Sequence, residues 1–168
     1  MKVISKTSKP AKVKISIKKE PAKKQRPSFE SVYMNFAKEI AKRSTCSRLN
    51  VGTVITSTDF RKVLAVGYNG NASGLPNDCD RKEAGNCGCL HSEENAVINC
   101  DSPRFVEKYV FCTHLPCMAC AKRLINLGNV KKIFFDKDYR KRDSIEAFLS
   151  VGIQIFKIDG NDVIEVKE

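Results

Sequence analysis

The amino-acid sequence predicts an α/β protein, a three-layer α/β/α sandwich built on a five-stranded mixed sheet. Short runs rich in β-branched and aromatic residues recur five times, at Val51 to Thr56, Val63 to Val66, Tyr109 to Thr113, Lys132 to Phe135 and Ile153 to Ile158. Stretches with apolar residues at helical spacing separate the last three runs, which are therefore expected to lie parallel with right-handed crossovers. At 168 residues and 42% apolar content, the chain is sized for one domain with a proper core.

In chain order, Phe29, Val32, Tyr33, Phe36, Ala37 and Ile40 mark an amphipathic helix over residues 28–43, with Ser28 as its cap. The first two strand runs are separated by Ser57 to Lys62 and predict an antiparallel hairpin. Gly67-Tyr68-Asn69-Gly70 follows, then a long polar loop containing glycine and cysteine that runs to Leu90. Helical spacing resumes from His91 to about Cys100. It returns from Cys117 to Leu127, where Gly128 ends the helix, and again around Ile145, Phe148 and Leu149.

The net charge of +11 is concentrated at one end of the chain. Residues 1–27 hold ten Lys or Arg and one Glu, a balance of +9, whereas residues 28–168 hold twenty basic and eighteen acidic residues, a balance of +2. With Pro10, Pro21 and Pro27 among the lysines and no aromatic residue, residues 1–27 read as a disordered basic tail ahead of a nearly neutral domain over 28–168. Such a tail is suited to weak nucleic-acid binding, and a solvated, functionally neutral extension accounts for it equally well. No apolar run is long enough to span a bilayer, and the N-terminus lacks a secretory apolar segment. The chain is accordingly expected in the cytoplasm, or in the host-cell cytoplasm if it is viral. Its eight cysteines read as reduced thiols or metal ligands.

Two separated stretches carry the chemistry: His91-Ser92-Glu93-Glu94, and Pro116-Cys117-Met118-Ala119-Cys120. A thiolate pair spaced by three lies on one face of a helix start, where the helix N-terminus favours negative charge. With His91 it offers three zinc ligands and leaves a fourth position open. Glu93, two residues beyond His91, is free to face the substrate. A lone C-x-x-C also serves redox and structural zinc sites. The two-part pattern H-x-E with P-C-x-x-C, however, is the signature of zinc-dependent nucleobase deaminases.

Beyond that pattern, Ala-Lys-Arg-Ser-Thr-Cys46-Ser-Arg-Leu-Asn-Val-Gly-Thr-Val-Ile, Gly67-Tyr-Asn-Gly, Ser-Gly-Leu-Pro, His91-Ser-Glu-Glu-Asn-Ala and Pro116-Cys-Met-Ala-Cys together resemble deoxycytidylate (dCMP) deaminases of the phage and bacterial type. The resemblance covers roughly residues 29–158 and implies the cytidine deaminase-like fold. Ser92 stands where that family usually has alanine, a small change that need not disturb the site, and the basic tail has no counterpart in the family pattern.

The resemblance implies hydrolytic deamination of dCMP to dUMP and ammonia by a zinc-activated water, supplying dUMP for thymidylate synthesis. Glu93 would act as general acid and base, protonating N3 and carrying the proton to the leaving amine. It further implies that Asn69 contacts the sugar, although turn chemistry alone also suits that position. Tyr139 resembles a substrate-side aromatic, and a plain loop tyrosine fits as well. The loop with Gly67, Tyr68, Gly70 and Gly74 would serve an effector site where dCTP, with Mg2+, activates and dTTP inhibits. A homohexamer is implied too.

Cys46 and Cys79 match positions that hold a second, structural zinc in some phage members, where two histidines in the following loop complete the site. Here Cys87 and Cys89 occupy that loop, giving an all-cysteine set of Cys46, Cys79, Cys87 and Cys89, with unconnected thiols as the competing reading. Cys100 and Cys112 read as core residues and His114 as a loop residue. Competing functions are deamination of free deoxycytidine, deamination of cytosine in single-stranded nucleic acid, and a zinc-stabilised nucleotide-sensing module. The near-neutral domain argues against the nucleic-acid reading, and an intact Glu93 argues against the sensor.

Overall fold

The computed structural model describes residues 26–81, 83 and 87–167. Apart from Arg26 and Pro27, the tail read in residues 1–27 lies outside the described residues. Ser28 opens α1 (Phe29–Ala41), its Oγ accepting a hydrogen bond from the Ser31 amide at 3.2 Å. There follow β1 (Gly52–Ser57), β2 (Val63–Tyr68), α2 (Ser92–Ile98), β3 (Lys108–His114), α3 (Met118–Leu127), β4 (Val130–Lys137), α4 (Asp143–Ser150), β5 (Gln154–Asp159) and β6 (Asp162–Val166).

The sheet runs β2-β1-β3-β4-β5-β6. Its β2, β1 and β3 pair antiparallel, while β3, β4 and β5 pair parallel through the crossover helices α3 and α4, as the sequence predicts. The five expected strands form the body of the sheet, and β6 extends it, antiparallel to β5. This sixth strand was not expected. It closes a hairpin of two loop residues, Gly160 and Asn161, in which Gly160 takes φ 59°, a conformation that a residue with a Cβ adopts reluctantly.

Alternation along the strands divides the core into two faces. On one, Met34 and Ala37 of α1 pack on Val54, Phe111, Phe134 and Ile158. Stacked rings reinforce that face, with Phe111 to Phe134 at 4.6 Å and Phe134 to Phe156 at 5.2 Å between centroids. Phe60, in the turn between β1 and β2, takes φ 60°, and its ring lies 5.2 Å from Phe29 and 5.3 Å from Tyr109. Those contacts, with a 2.6 Å hydrogen bond from the Tyr33 hydroxyl to the Phe60 carbonyl, offset the cost of left-handed backbone at a bulky residue.

On the other face Ala96, Ala121, Leu124 and Phe148, from α2, α3 and α4, cover Ile55, Val110, Cys112, Ile133, Phe135 and Ile155. Gly67 of β2 is what lets α2 sit so near the sheet, since a Cβ there would collide with the Ser92 carbonyl oxygen and the Ala96 amide nitrogen. That close approach fixes the start of α2, where two of the candidate site residues lie. The charged side chain of Lys108 is buried: its ammonium donates to the carbonyls of Pro103 at 2.9 Å and Val106 at 2.6 Å, which offsets its desolvation. No described helix is long and apolar enough to cross a membrane.

Candidate active site

The parallel strand β3 delivers the chain to α3 through Leu115 and Pro116, so that Cys117 becomes the N-cap of α3 and Cys120 lies in its first turn. His91 is likewise the N-cap of α2, placed by a bridge in which Gly70 and Leu90 exchange backbone hydrogen bonds of 3.1 and 2.9 Å. The two helix starts meet. His91 Nδ1 lies 3.4 Å from Cys120 Sγ and 3.6 Å from Cys117 Sγ, and the three ligand atoms all fall within 4.8 Å of one another. Tetrahedral zinc bound through imidazole nitrogen and thiolate sulfur separates such a pair by about 3.6 Å, so the donor set fits the ion. Hydrogen bonds from Cys120 and His91 lower the Cys117 thiol to about 3, while the same contact with Cys117, together with burial, pushes Cys120 up. The hydrogen bond with Cys117 also raises His91.

Glu93 stands beside this set and outside it. Its residue is 5% exposed, and burial raises its carboxyl above the ordinary range. The Ser92 hydroxyl donates to Glu93 Oε2 at 2.9 Å and shares a 2.8 Å hydrogen bond with Thr53 Oγ1 from β1. Ser92, a silent replacement in sequence, therefore ties the carboxylate to the sheet. A partner 39 residues away in sequence is what makes that role invisible to local pattern.

These residues line a cleft of about 620 Å³, a size that suits a small ligand. Asn69 and Tyr139 line it as well. The Asn69 amide is already engaged: Nδ2 donates to the Leu49 carbonyl at 2.6 Å and Oδ1 accepts from the Val51 amide at 2.8 Å, clamping the segment that enters β1. Tyr139 takes a 2.9 Å hydrogen bond from Arg140 through its hydroxyl. His114, read in sequence as a loop residue, is instead the last residue of β3 and lines the cleft, where burial lowers its imidazole. The strand ends one residue later than its apolar pattern because His114 still pairs with Lys137 of β4. Arg48, Arg123 and Arg140 also face the cleft, and none of them stood out in the sequence. Of the residues read as an effector loop, Tyr68 is exposed at the end of β2, Gly70 forms the bridge to Leu90, and Gly74 sits in an open turn at φ 88°. Gly67 faces α2.

Along the same wall, Cys46, Cys79, Cys87 and Cys89 come together. Cys46 lies 3.7 Å from Cys79 and 3.8 Å from Cys87, and Cys79 lies 3.6 Å from Cys89, measured between sulfurs. Four thiolates around one tetrahedral zinc stand about 3.8 Å apart. Hydrogen bonds from Ser47 bring the Cys79 thiol down to about 7, which favours a ligand-competent thiolate, whereas burial raises Cys46 and Cys89. Cys112 is fully buried and Cys100 half-buried against the core, as read from sequence.

An α/β/α sheet that carries a His/Cys/Cys set on two helix starts, with a buried carboxylate next to it, defines the class of zinc-dependent nucleobase deaminases. Residues 27–137 match the family described as the cytidine and deoxycytidylate deaminase zinc-binding region, and the chain belongs to that family. Deoxycytidylate deaminase of Schizosaccharomyces pombe is 32% identical over 144 residues, covering 77% of this chain and 44% of that protein. ComE operon protein 2 of Bacillus subtilis is 30% identical over 155 residues, 83% of this chain and 76% of the relative. The chain thus spans about half the length of the yeast protein it matches. In three dimensions it is similar to dCMP deaminase from the cyanophage S-TIM5 in complex with dCMP and dUMP. The TM-score is 0.70 at 29% identity, over 80% of this chain and 100% of that one.

Proposed function

We propose that the chain catalyses the hydrolytic deamination of dCMP to dUMP and ammonia. The observation that carries this reading is the convergence of His91, Cys117 and Cys120 in one cleft with Glu93 buried beside them and outside the ligand set. His91, Cys117 and Cys120 would hold a zinc ion, which when bound lowers the pKa of a water molecule enough to make hydroxide available near neutral pH. Glu93 does the proton work: it holds a proton at N3 of the cytosine ring and then passes it to the departing amine. Ser92 and Thr53 keep its carboxylate turned for that transfer. After its two backbone bonds the Asn69 amide retains one N–H and one acceptor lone pair, which it offers to the deoxyribose, and Tyr139, which lines the same cleft, meets the substrate there.

The four thiols of Cys46, Cys79, Cys87 and Cys89 would hold a second zinc of structural kind. Tyr68, Gly70 and Gly74, seated by Gly67 on α2, would form the effector site for dCTP with Mg2+ and for dTTP in a homohexamer. Their support is the resemblance of the Gly67 to Gly74 stretch to that family. Assay of dCMP, deoxycytidine, CMP and single-stranded DNA by ammonia release tests the central reading, and turnover is expected with dCMP above the other three. Preference for deoxycytidine or DNA would replace the substrate, and no turnover of any of them would leave a nucleotide-binding module.

Residues 1–27 carry +9 of the chain's charge, so any affinity for nucleic acid is expected to reside there and to fall steeply with salt through counterion release. A chain beginning at Pro27 should lose DNA binding in a filter or anisotropy assay and keep its dCMP turnover. DNA binding that survives the truncation would place a basic groove on the domain.

A further inference from the structure

Four of the eight cysteines, Cys46, Cys79, Cys87 and Cys89, are arranged for a chemistry that deamination does not use. Their sulfurs approach closely: Cys79 and Cys89 at 3.6 Å, Cys46 and Cys79 at 3.7 Å, Cys46 and Cys87 at 3.8 Å. The first and last of these contacts divide the set into two pairs with no sulfur left over. Cys79, Cys87 and Cys89 are half-buried, so a small polar oxidant reaches them from solvent, whereas Cys112 and Cys120 are closed off at 0% and 1% exposure. An accessible thiol with a second thiol beside it is the arrangement that converts an oxidised sulfur into a disulfide before further oxygen adds.

The cluster is joined to the cleft through the backbone. Cys46, Cys87 and Cys89 line the cleft, and Leu90, which bridges to Gly70, is all that separates Cys89 from His91. On the other side the Cys46 amide donates to Ser44 Oγ at 3.2 Å, and the Ser44 hydroxyl donates to the Asn69 carbonyl at 2.9 Å. Forming an S–S bond draws each pair together by about 1.6 Å, and these links pass the movement to His91 and Asn69. A misplacement on the order of 1 Å at reacting groups is enough to slow a reaction about 10²-fold.

We propose that Cys46, Cys79, Cys87 and Cys89 form a peroxide-reactive site that closes into two disulfides, Cys79–Cys89 and Cys46–Cys87, and thereby switches the adjoining cleft to a slow state. At the first sulfur of each pair an S–O bond forms as the O–O bond of hydrogen peroxide breaks. The product is a sulfenic acid, and the thiol's proton leaves with the departing oxygen as water. The partner thiol then attacks that sulfur, an S–S bond replaces the S–O bond, and a second water departs. Each pair gives two electrons to one peroxide, so the cluster consumes two peroxides and releases four waters. Sulfurs joined in this way are no longer thiolates, and an ion held by the reduced set is set free. The disulfides rest on the thiols alone, and the slowed turnover rests on the dCMP reading above.

Titration of the zinc-loaded full chain with hydrogen peroxide tests this, with surviving thiols alkylated and disulfides mapped by mass spectrometry after non-reducing digestion. Two equivalents of peroxide should remove four of the eight thiols, give the two expected pairs and free zinc to a chromophoric chelator. Turnover of dCMP should fall about 10²-fold over the same titration and return with dithiothreitol and zinc. Cys79→Ser should form only the Cys46–Cys87 pair, and Cys100→Ser should behave as wild type. Should Cys79→Ser not fold, the wild-type disulfide map decides the assignment by itself. Thiols that survive excess peroxide, oxidation that ends in sulfinic acid, or a Cys117–Cys120 disulfide that alone accounts for the lost rate overturns the proposal. The two expected disulfides with an unchanged rate overturn the switching role. An untreated chain without dCMP turnover overturns the dCMP reading, and the disulfide map is decided independently of it.

Discussion

Replacing Glu93 by Gln is expected to leave zinc content and melting temperature close to wild type while lowering kcat for dCMP by about 10²-fold or more. The substitution keeps the side chain's size, and its amide oxygen can still accept the Ser92 hydroxyl that now reaches Oε2 at 2.9 Å. What is lost is the ability to hold and release a proton. Because Glu93 is not one of the three residues whose ligand atoms converge, metal binding should survive. Removing a buried carboxyl whose charged form is disfavoured by burial carries no stability penalty of the kind expected for an ion pair. Single-turnover kinetics with zinc quantified on the same sample separate the two readings. A loss of rate that tracks a loss of zinc would make Glu93 a prop of the ligand set, and a near-normal rate would remove it from the reaction.

Much of the fold was legible because its signals are local. The β-branched runs, the helical stripe from Phe29 to Ile40 and the glycine stop at Gly128 each act within a few residues, and the structure places α1, α3 and the five central strands within two residues of the expected bounds. The ligand set was legible for a different reason: thiols and imidazoles at fixed spacing have few uses, so His91, Cys117 and Cys120 declare themselves.

What escaped reading depends on long-range partners. The hairpin to β6 was signalled by Asp159-Gly160, yet Val163, Ile164 and Val166 form a short, mostly exposed edge that resembles a frayed end. His114 looked like the start of a loop until its pairing with β4 extended the strand. The hydrogen bond of Ser92 to Thr53 and the bond of Arg48 to Glu83 join residues more than thirty positions apart, and no periodicity announces such contacts.

The four-cysteine cluster leads to the largest expected change in stability. Between Gly70 and Leu90 the described residues form no regular element beyond the single bridge that joins the ends of the segment. Ordering a loop of that length with few apolar contacts is costly unless something cross-links it. Cys46, Cys79, Cys87 and Cys89 come from separate points of the sequence, so one ion held by all four would tie the loop to the segment that enters β1. Their separations of 3.6, 3.7 and 3.8 Å already match tetrahedral thiolate ligation. Elemental analysis of the wild-type chain should give two zinc ions, and Cys79→Ser should give one. Since structural zinc contributes directly to folding free energy, the melting temperature of Cys79→Ser should drop on the order of 10 °C. Removing Cys100, which lies outside both sets, should leave the zinc count unchanged. One zinc per wild-type chain, with Cys79→Ser as stable as its parent, would show four neighbouring thiols that bind nothing. A drop in stability without a change in zinc would point to their hydrogen bonds alone.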